Sequence, residues 1–83
     1  MWKVLLSPDV NDFLNKQDKN IKERLRKSLE KLKTDKPFRY LEHFESESLY
    51  KYRIGDYRAL IDVDFNNKIL RIQVLDKRGR IYR

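Results

Sequence analysis

Cysteine is absent from the 83 residues, which excludes a disulfide scaffold, a thiolate nucleophile and any Cys-based zinc site. The fold must be held by packing alone. There is one histidine, His43, and no cysteine to complete a ligand set, so no metal or other cofactor is expected and His43 reads as a surface or loop-packing residue. Two glycines and two prolines are the only strong punctuation, and no linker, low-complexity tract or fixed-period repeat divides the chain. One domain over residues 1–83 is expected. No apolar run approaches the ~18–20 residues that cross a bilayer, and the apolar start at Met1–Leu6 is too short for a signal-peptide core. A cytoplasmic protein without membrane contact is the resulting expectation.

Acidic residues are outnumbered, 13 against 20 Lys plus Arg, for a formal charge of +7. Such a balance governs encounter and nonspecific binding and favours a polyanionic or acidic partner. Charged residues of both signs make up 40% of the chain, however, which is also the pattern of heat-adapted surfaces, so the placement of the charges has to decide.

The apolar residues, 40% of the total with ten aromatics among them, suffice for one small core. Trp2–Leu6 reads as a brief strand bounded by Ser7 and Pro8. Ser7 suits an N-cap, Pro8 the first helical position, and Asp9 the first turn, where the helix dipole favours an anion. A helix to Asn15 follows, with Val10, Phe13 and Leu14 on its apolar face. Ile21, Leu25, Leu29 and Leu32 then recur at helical spacing, predicting an amphipathic helix over Lys19–Lys33 and an antiparallel helical hairpin. Its Lys22, Arg24, Arg26, Lys27, Lys31 and Lys33 read as a solvated face with ordinary helical ion-pair spacings. Asp35–Glu47 reads as a polar connection anchored by Phe38, Tyr40, Leu41 and Phe44.

From Leu49 the apolar period becomes two. Leu49–Ile54, Tyr57–Phe65 and Lys68–Leu75 read as three strands joined by Gly55-Asp56 and Asn66-Asn67, dipeptides that tolerate the positive φ of tight hairpin turns. The fold class is therefore α+β: a short N-terminal strand, a helical hairpin, then a three- to four-stranded antiparallel meander. Two-residue turns set the register. Tyr50, Tyr52, Ile54, Tyr57, Ala59, Ile61, Val63, Leu70, Ile72 and Val74 gather on a core face, with Ala59 opposite Val74. The other face sets Asp62 across from Arg71, a structural pair, and Arg53 across from Arg58 with Lys51 two residues away. Directly opposed like charges destabilise a sheet unless an anion lies between them. That arrangement calls for a phosphate, and past Leu75, read as the partner of Arg58, the chain brings Arg78 toward the same edge, so that four cations and a phenol converge.

These residues carry a resemblance. The short strand, the helical hairpin, the Leu49-Tyr50-Lys51-Tyr52-Arg53-Ile54-Gly55-Asp56-Tyr57-Arg58 segment and the closing Lys77-Arg78-Gly79-Arg80-Ile81-Tyr82-Arg83 resemble the RelE/ParE toxin superfamily, on the RelE side. The likeness covers essentially the whole chain and is most specific at Gly55-Asp56-Tyr57-Arg58. It implies a RelE-like microbial RNase-type fold. It also implies a metal-independent, ribosome-dependent endoribonuclease that cleaves mRNA in the decoding site by attack of the ribose 2′-hydroxyl on the adjacent phosphorus. By the same resemblance, Lys51 is the base or phosphate ligand, Arg53 the second basic residue of the strand, and Arg58 the ligand of the scissile phosphate. Arg78 and Tyr82 match the C-terminal arginine and tyrosine, linked to transition-state or leaving-group stabilisation and to base stacking. Lys77, Arg80 and Arg83 are the RNA-binding candidates. The implied partners are a cognate antitoxin protein, the ribosome and mRNA, with a toxin–antitoxin heterotetramer that binds operator DNA through the antitoxin.

One departure is visible: many relatives carry histidine immediately before the C-terminal arginine, where this chain has Lys77, which leaves the general acid and base open. Two other readings stand beside the leading one. A ParE-like gyrase inhibitor would use the same scaffold for a protein–protein contact, although such relatives tend to lack the full set of Lys51, Arg58, Arg78 and Tyr82. A noncatalytic RNA- or protein-binding module would keep the scaffold with a decayed site.

Overall fold

The computed structural model describes residues 1–77. Arg78, Arg80, Tyr82 and Arg83, named above as site candidates, lie outside the described residues. In chain order the elements are β1 (Lys3–Leu6), α1 (Pro8–Asn15), α2 (Lys19–Glu30), a 3-10 turn (Pro37–Arg39), β2 (Glu42–His43), β3 (Leu49–Ile54), β4 (Tyr57–Asp64) and β5 (Ile69–Lys77). The sheet order is β1-β5-β4-β3-β2. The α+β class holds, with helices against one face of a mixed five-stranded sheet.

Both helices begin where a side chain can satisfy the orphan amides of the first turn. Ser7 Oγ accepts from the Val10 amide at 3.1 Å, with Pro8 at the first helical position, and Asp18 Oδ1 accepts from the Ile21 amide at 3.0 Å. α2 stops at Glu30, short of the predicted Lys33, because the next amides tighten to three-residue bonds: Leu32 to Leu29 at 3.1 Å and Lys33 to Glu30 at 3.0 Å. Leu32 stays buried all the same. Val10, Leu14, Leu25 and Leu29 meet Tyr52, Ile54, Ala59, Ile61, Leu70 and Ile72 in one core, where each large aliphatic side chain contributes about 1.5–3 kcal/mol through removal from water. Tyr52 ties sheet to helix, its hydroxyl donating to the Ser28 carbonyl at 2.8 Å, and burial pushes its phenol above the usual range.

The first hairpin has the predicted register, from Ile54 opposite Tyr57 through Arg53 opposite Arg58 to Tyr50 opposite Ile61. Gly55 alone in the turn takes a positive φ, +57°. Arg24, read from the sequence as part of a solvated face, instead lies over the Tyr57 ring at 5.8 Å and reaches the Gly55 turn. The second hairpin keeps its register from Asp64 opposite Ile69 to Ile61 opposite Ile72, but pairing ends a residue earlier and the loop has four residues, 65–68. Lys68, not an asparagine, adopts the positive φ, at +55°. Asp64 organises that loop by accepting from the Asn67 amide at 3.1 Å and its side-chain nitrogen at 2.9 Å. Arg71 lies opposite Asp62 as expected, yet its ion pair runs diagonally to Asp64 at 3.5 Å.

Three features depart from the predicted meander. First, β1 adds to β5 in parallel, Lys3 opposite Ile69 through Leu6 opposite Ile72, which only the long crossover through the helices permits. Second, the polar connection contributes a fifth strand, β2, with Glu42 opposite Lys51 and His43 opposite Tyr50. Third, the β4–β5 register shifts between Leu60 and Ile61: Ile61 faces Ile72 but Leu60 faces Val74, so Gln73 is the extra residue of a bulge. The Gln73 carbonyl accepts from Ser7 Oγ at 3.0 Å. Beyond the bulge every side chain changes face. Ala59 pairs with Leu75 rather than Val74; Leu75 is 4% exposed and Val74 40%, reversing their predicted roles. Arg58 then faces Asp76.

Two outcomes follow from these turns. Gly55→Ala should lower stability by about 1–2 kcal/mol, because φ of +57° is costly for a residue with a Cβ and that Cβ would lie 3.0 Å from an Arg24 guanidinium nitrogen; chemical denaturation of both proteins measures it. At Asp64 the hydrogen bonds from Asn67, followed by Arg71, hold the carboxyl below its ordinary range. A depressed folded-state value adds stability above the unfolded value and loses it as pH falls through the folded one. Thermal melts of Asp64→Asn should therefore lie below the parent at neutral pH and converge with it in strong acid.

Candidate functional site

The two-residue turn after Ile54 is what brings the cations together. Because β3 and β4 are joined without slack, Arg53 and Arg58 sit directly across from each other on the face away from the helices, and Lys51 lies on the same face two residues back. Lys51, Arg53 and Arg58 line one small pocket of about 100 Å³. Three of the predicted site residues are thus brought to a single concavity. Arg53 is exposed, whereas Arg58 is half-buried with its Nε enclosed. Lys51, with a side chain 21% exposed, directs Nζ over the Phe44 ring at 5.5 Å from its centroid.

Among the described residues two more line the pocket that were not read as site residues: Glu42, and Tyr40, which was expected to anchor the polar connection but is 43% exposed. Glu42 stands opposite Lys51 in the ladder, with Oε1 3.5 Å from Nζ. Among the described residues the pocket therefore carries three cations and one carboxylate, and Glu42 partly meets the like-charge cost of the cluster. Neither residue was legible because both belong to a segment without apolar periodicity. The one available signal was alternation, Tyr40 and Glu42 two apart, immediately before a strand rich in lysine and arginine.

The ladder places Asp76 opposite Arg58, so the backbone enters the C-terminal segment on the arginine's flank. Lys77, the last described residue, is exposed opposite Tyr57, outside the residues that line the pocket. The predicted roles of Arg78, Arg80, Tyr82 and Arg83 lie outside the described residues. His43 turns to the aromatic cluster, edge-on to Tyr50 at 5.2 Å. Among the described residues no group of three His, Asp or Glu side chains is placed to hold a metal ion, and no helix is long and apolar enough to cross a membrane.

In chemical terms the pocket sets three cationic donors beside one carboxylate among the described residues. Arginine forks bind two oxygens of one phosphate and stay charged, while lysine supplies a compact charge. The strands that carry the donors are paired on both sides, β3 with β2 and β4, and β4 with β3 and β5, so the backbone beneath the donors is fixed.

No family model matches this sequence, and no curated protein matches it. Solved structures do. A chain of the archaeal RelE–RelB complex from Pyrococcus horikoshii is 26% identical, with a TM-score of 0.79 over 95% of this chain and 97% of that one. A chain of the RelBE2 toxin–antitoxin complex from Mycobacterium tuberculosis is 21% identical, with a TM-score of 0.79 over 93% of this chain and 98% of that one. The isolated RelE toxin of E. coli is 15% identical, with a TM-score of 0.76 over 99% of this chain and 92% of that one. From its N-terminal strand to its last β-hairpin, this chain is RelE-like, with the fold of the RelE toxins.

Proposed function

We propose that the chain is the toxin of a toxin–antitoxin pair and acts in the cytoplasm as a ribosome-dependent endoribonuclease on mRNA. The observation that carries this reading is the pocket in which Lys51, Arg53 and Arg58 meet on rigid strands of a RelE-like fold. Its partner is a cognate antitoxin, for which the +7 chain offers a complementary surface to an acidic segment. In the reaction, the ribose 2′-oxygen attacks the adjacent phosphorus as the bond to the 5′-oxygen breaks. A 2′,3′-cyclic phosphate and a 5′-hydroxyl result, with one proton leaving the 2′-hydroxyl and one reaching the 5′-oxygen.

Negative charge grows on the nonbridging oxygens in that transition state, and fixed cations aimed at them lower the barrier most effectively. Arg58, half-buried and enclosed, is the phosphate clamp, and Arg53 opposite it is the second donor. Lys51 is a base or a further phosphate ligand, and Glu42 beside it adds a carboxylate able to accept the 2′-hydroxyl proton. Arg78 and Tyr82 complete the site in this proposal, as transition-state stabiliser and base-stacking residue, and Lys77, Arg80 and Arg83 steer the RNA. Positioning and charge carry much of the catalysis where ribosomal RNA holds an internal nucleophile in line.

Primer extension on a translated message, with and without ribosomes, tests the reading. Cuts within codons that require ribosomes are expected. Arg58→Ala should reduce them by about 10²–10³-fold, the usual loss for one preorganised oxyanion donor, with an unchanged circular dichroism spectrum. Lys51→Ala should behave similarly. Equal cutting by Arg58→Ala and the parent overturns the assignment, and an intact message with arrested replication points to a gyrase-type target instead.

A further inference from the structure

Among the described residues, two exposed large aromatic side chains follow the helical hairpin, and they are not equivalent. Phe65, 49% exposed, is stacked on Phe38 with centroids 5.7 Å apart and planes 9° from parallel. Tyr40, 43% exposed, has no ring against it among the described residues, yet it lines the pocket of Lys51, Arg53 and Arg58. Its backbone is fixed. The Tyr40 amide donates to the Pro37 carbonyl at 3.0 Å, closing the 3-10 turn, and the Leu41 amide donates to Phe38 at 3.2 Å. Pro37 is buried, and Phe38 is wedged edge-on between Trp2 at 5.1 Å and Tyr50 at 5.2 Å. A tyrosine rooted in this way has only two side-chain torsions left to order, so it offers flat apolar area at low entropic cost.

In a nucleotide the base lies one sugar away from the phosphate, and Tyr40 lines the same pocket as the three cations that would hold that phosphate. We propose that Tyr40 is a stacking platform for the nucleobase next to the bound phosphate, which makes the pocket a nucleotide subsite that favours purines through their larger π-face. The proposal rests on the reading of the pocket as a phosphodiester site. It gives the cluster a sequence bias that three cations cannot supply, since phosphate contacts position the strand and carry no base information. Lys51, Arg53 and Arg58 hold the anion, and Tyr40 reads what is attached to it.

Calorimetric titration of the full chain at low ionic strength with ribose phosphate, adenosine 3′-monophosphate and uridine 3′-monophosphate separates the two contributions. Adenosine 3′-monophosphate should bind about ten- to hundredfold tighter than ribose phosphate, with the uridine nucleotide between them. Tyr40→Phe should keep that ratio and Tyr40→Ala should abolish it; the exposure of the side chain lets both variants fold, which thermal melts check. Equal affinities for ribose phosphate and adenosine 3′-monophosphate, or a ratio that survives in Tyr40→Ala, overturns the platform while leaving the phosphate pocket intact. Absence of binding by all three ligands overturns the phosphate reading itself, and the platform with it.

Discussion

The opposition of two arginines across a tight hairpin is the constraint from which the rest of the site follows. Arg53 and Arg58 face each other because Gly55 and Asp56 join their strands with no residue to spare. A longer loop would let either strand slide or fray and the charges separate. The cost of holding like charges at such range is set against the aliphatic core on the reverse face of the same strands, where Tyr52, Ile54, Tyr57 and Ala59 are buried. Burial thus enforces an electrostatic arrangement that the strands would not adopt for its own sake. Such conflicts between local charge and global packing concentrate at functional sites.

Three devices surround that pair and make it a pocket. β2 brings Glu42 beside Lys51 and, through the 3-10 turn before it, sets Tyr40 at the wall. The Gln73 bulge rotates the end of β5 so that Leu75 enters the core and Asp76 comes opposite Arg58. The parallel addition of β1 buries the far edge of β5 and carries the chain through Ser7 into α1; the hydrogen bond from Ser7 to the Gln73 carbonyl couples that helix start to the bulge. The site is therefore supported from both ends of the sheet.

Particular elements show how far the sequence could be read. The Ser7-Pro8-Asp9 helix start, both strands of the first hairpin and the facing pair Arg53–Arg58 are local: each follows from residues within a few positions, through capping, period-two alternation and turn chemistry. Lys51, Arg53 and Arg58 were legible as one cluster for the same reason. The bulge was not, because Val74 and Leu75 are both aliphatic and alternation alone lets either one face the core. β2 was not, because a two-residue strand has no periodicity and exists through its bonds to β3. Asp64 rather than Asp62 as the partner of Arg71 was likewise decided by side-chain reach along the diagonal.

By itself the sequence determined the α+β class, the near hairpin and the sign of the charge at its end, since those depend on interactions between chain neighbours. Only the tertiary structure decided which edge the N-terminal strand joins, where β5 changes face, and that Tyr40 and Glu42 border the cationic pocket. Each of those outcomes depends on contacts between segments far apart in the chain, where many pairings satisfy the same local pattern and the packing of the whole core selects one.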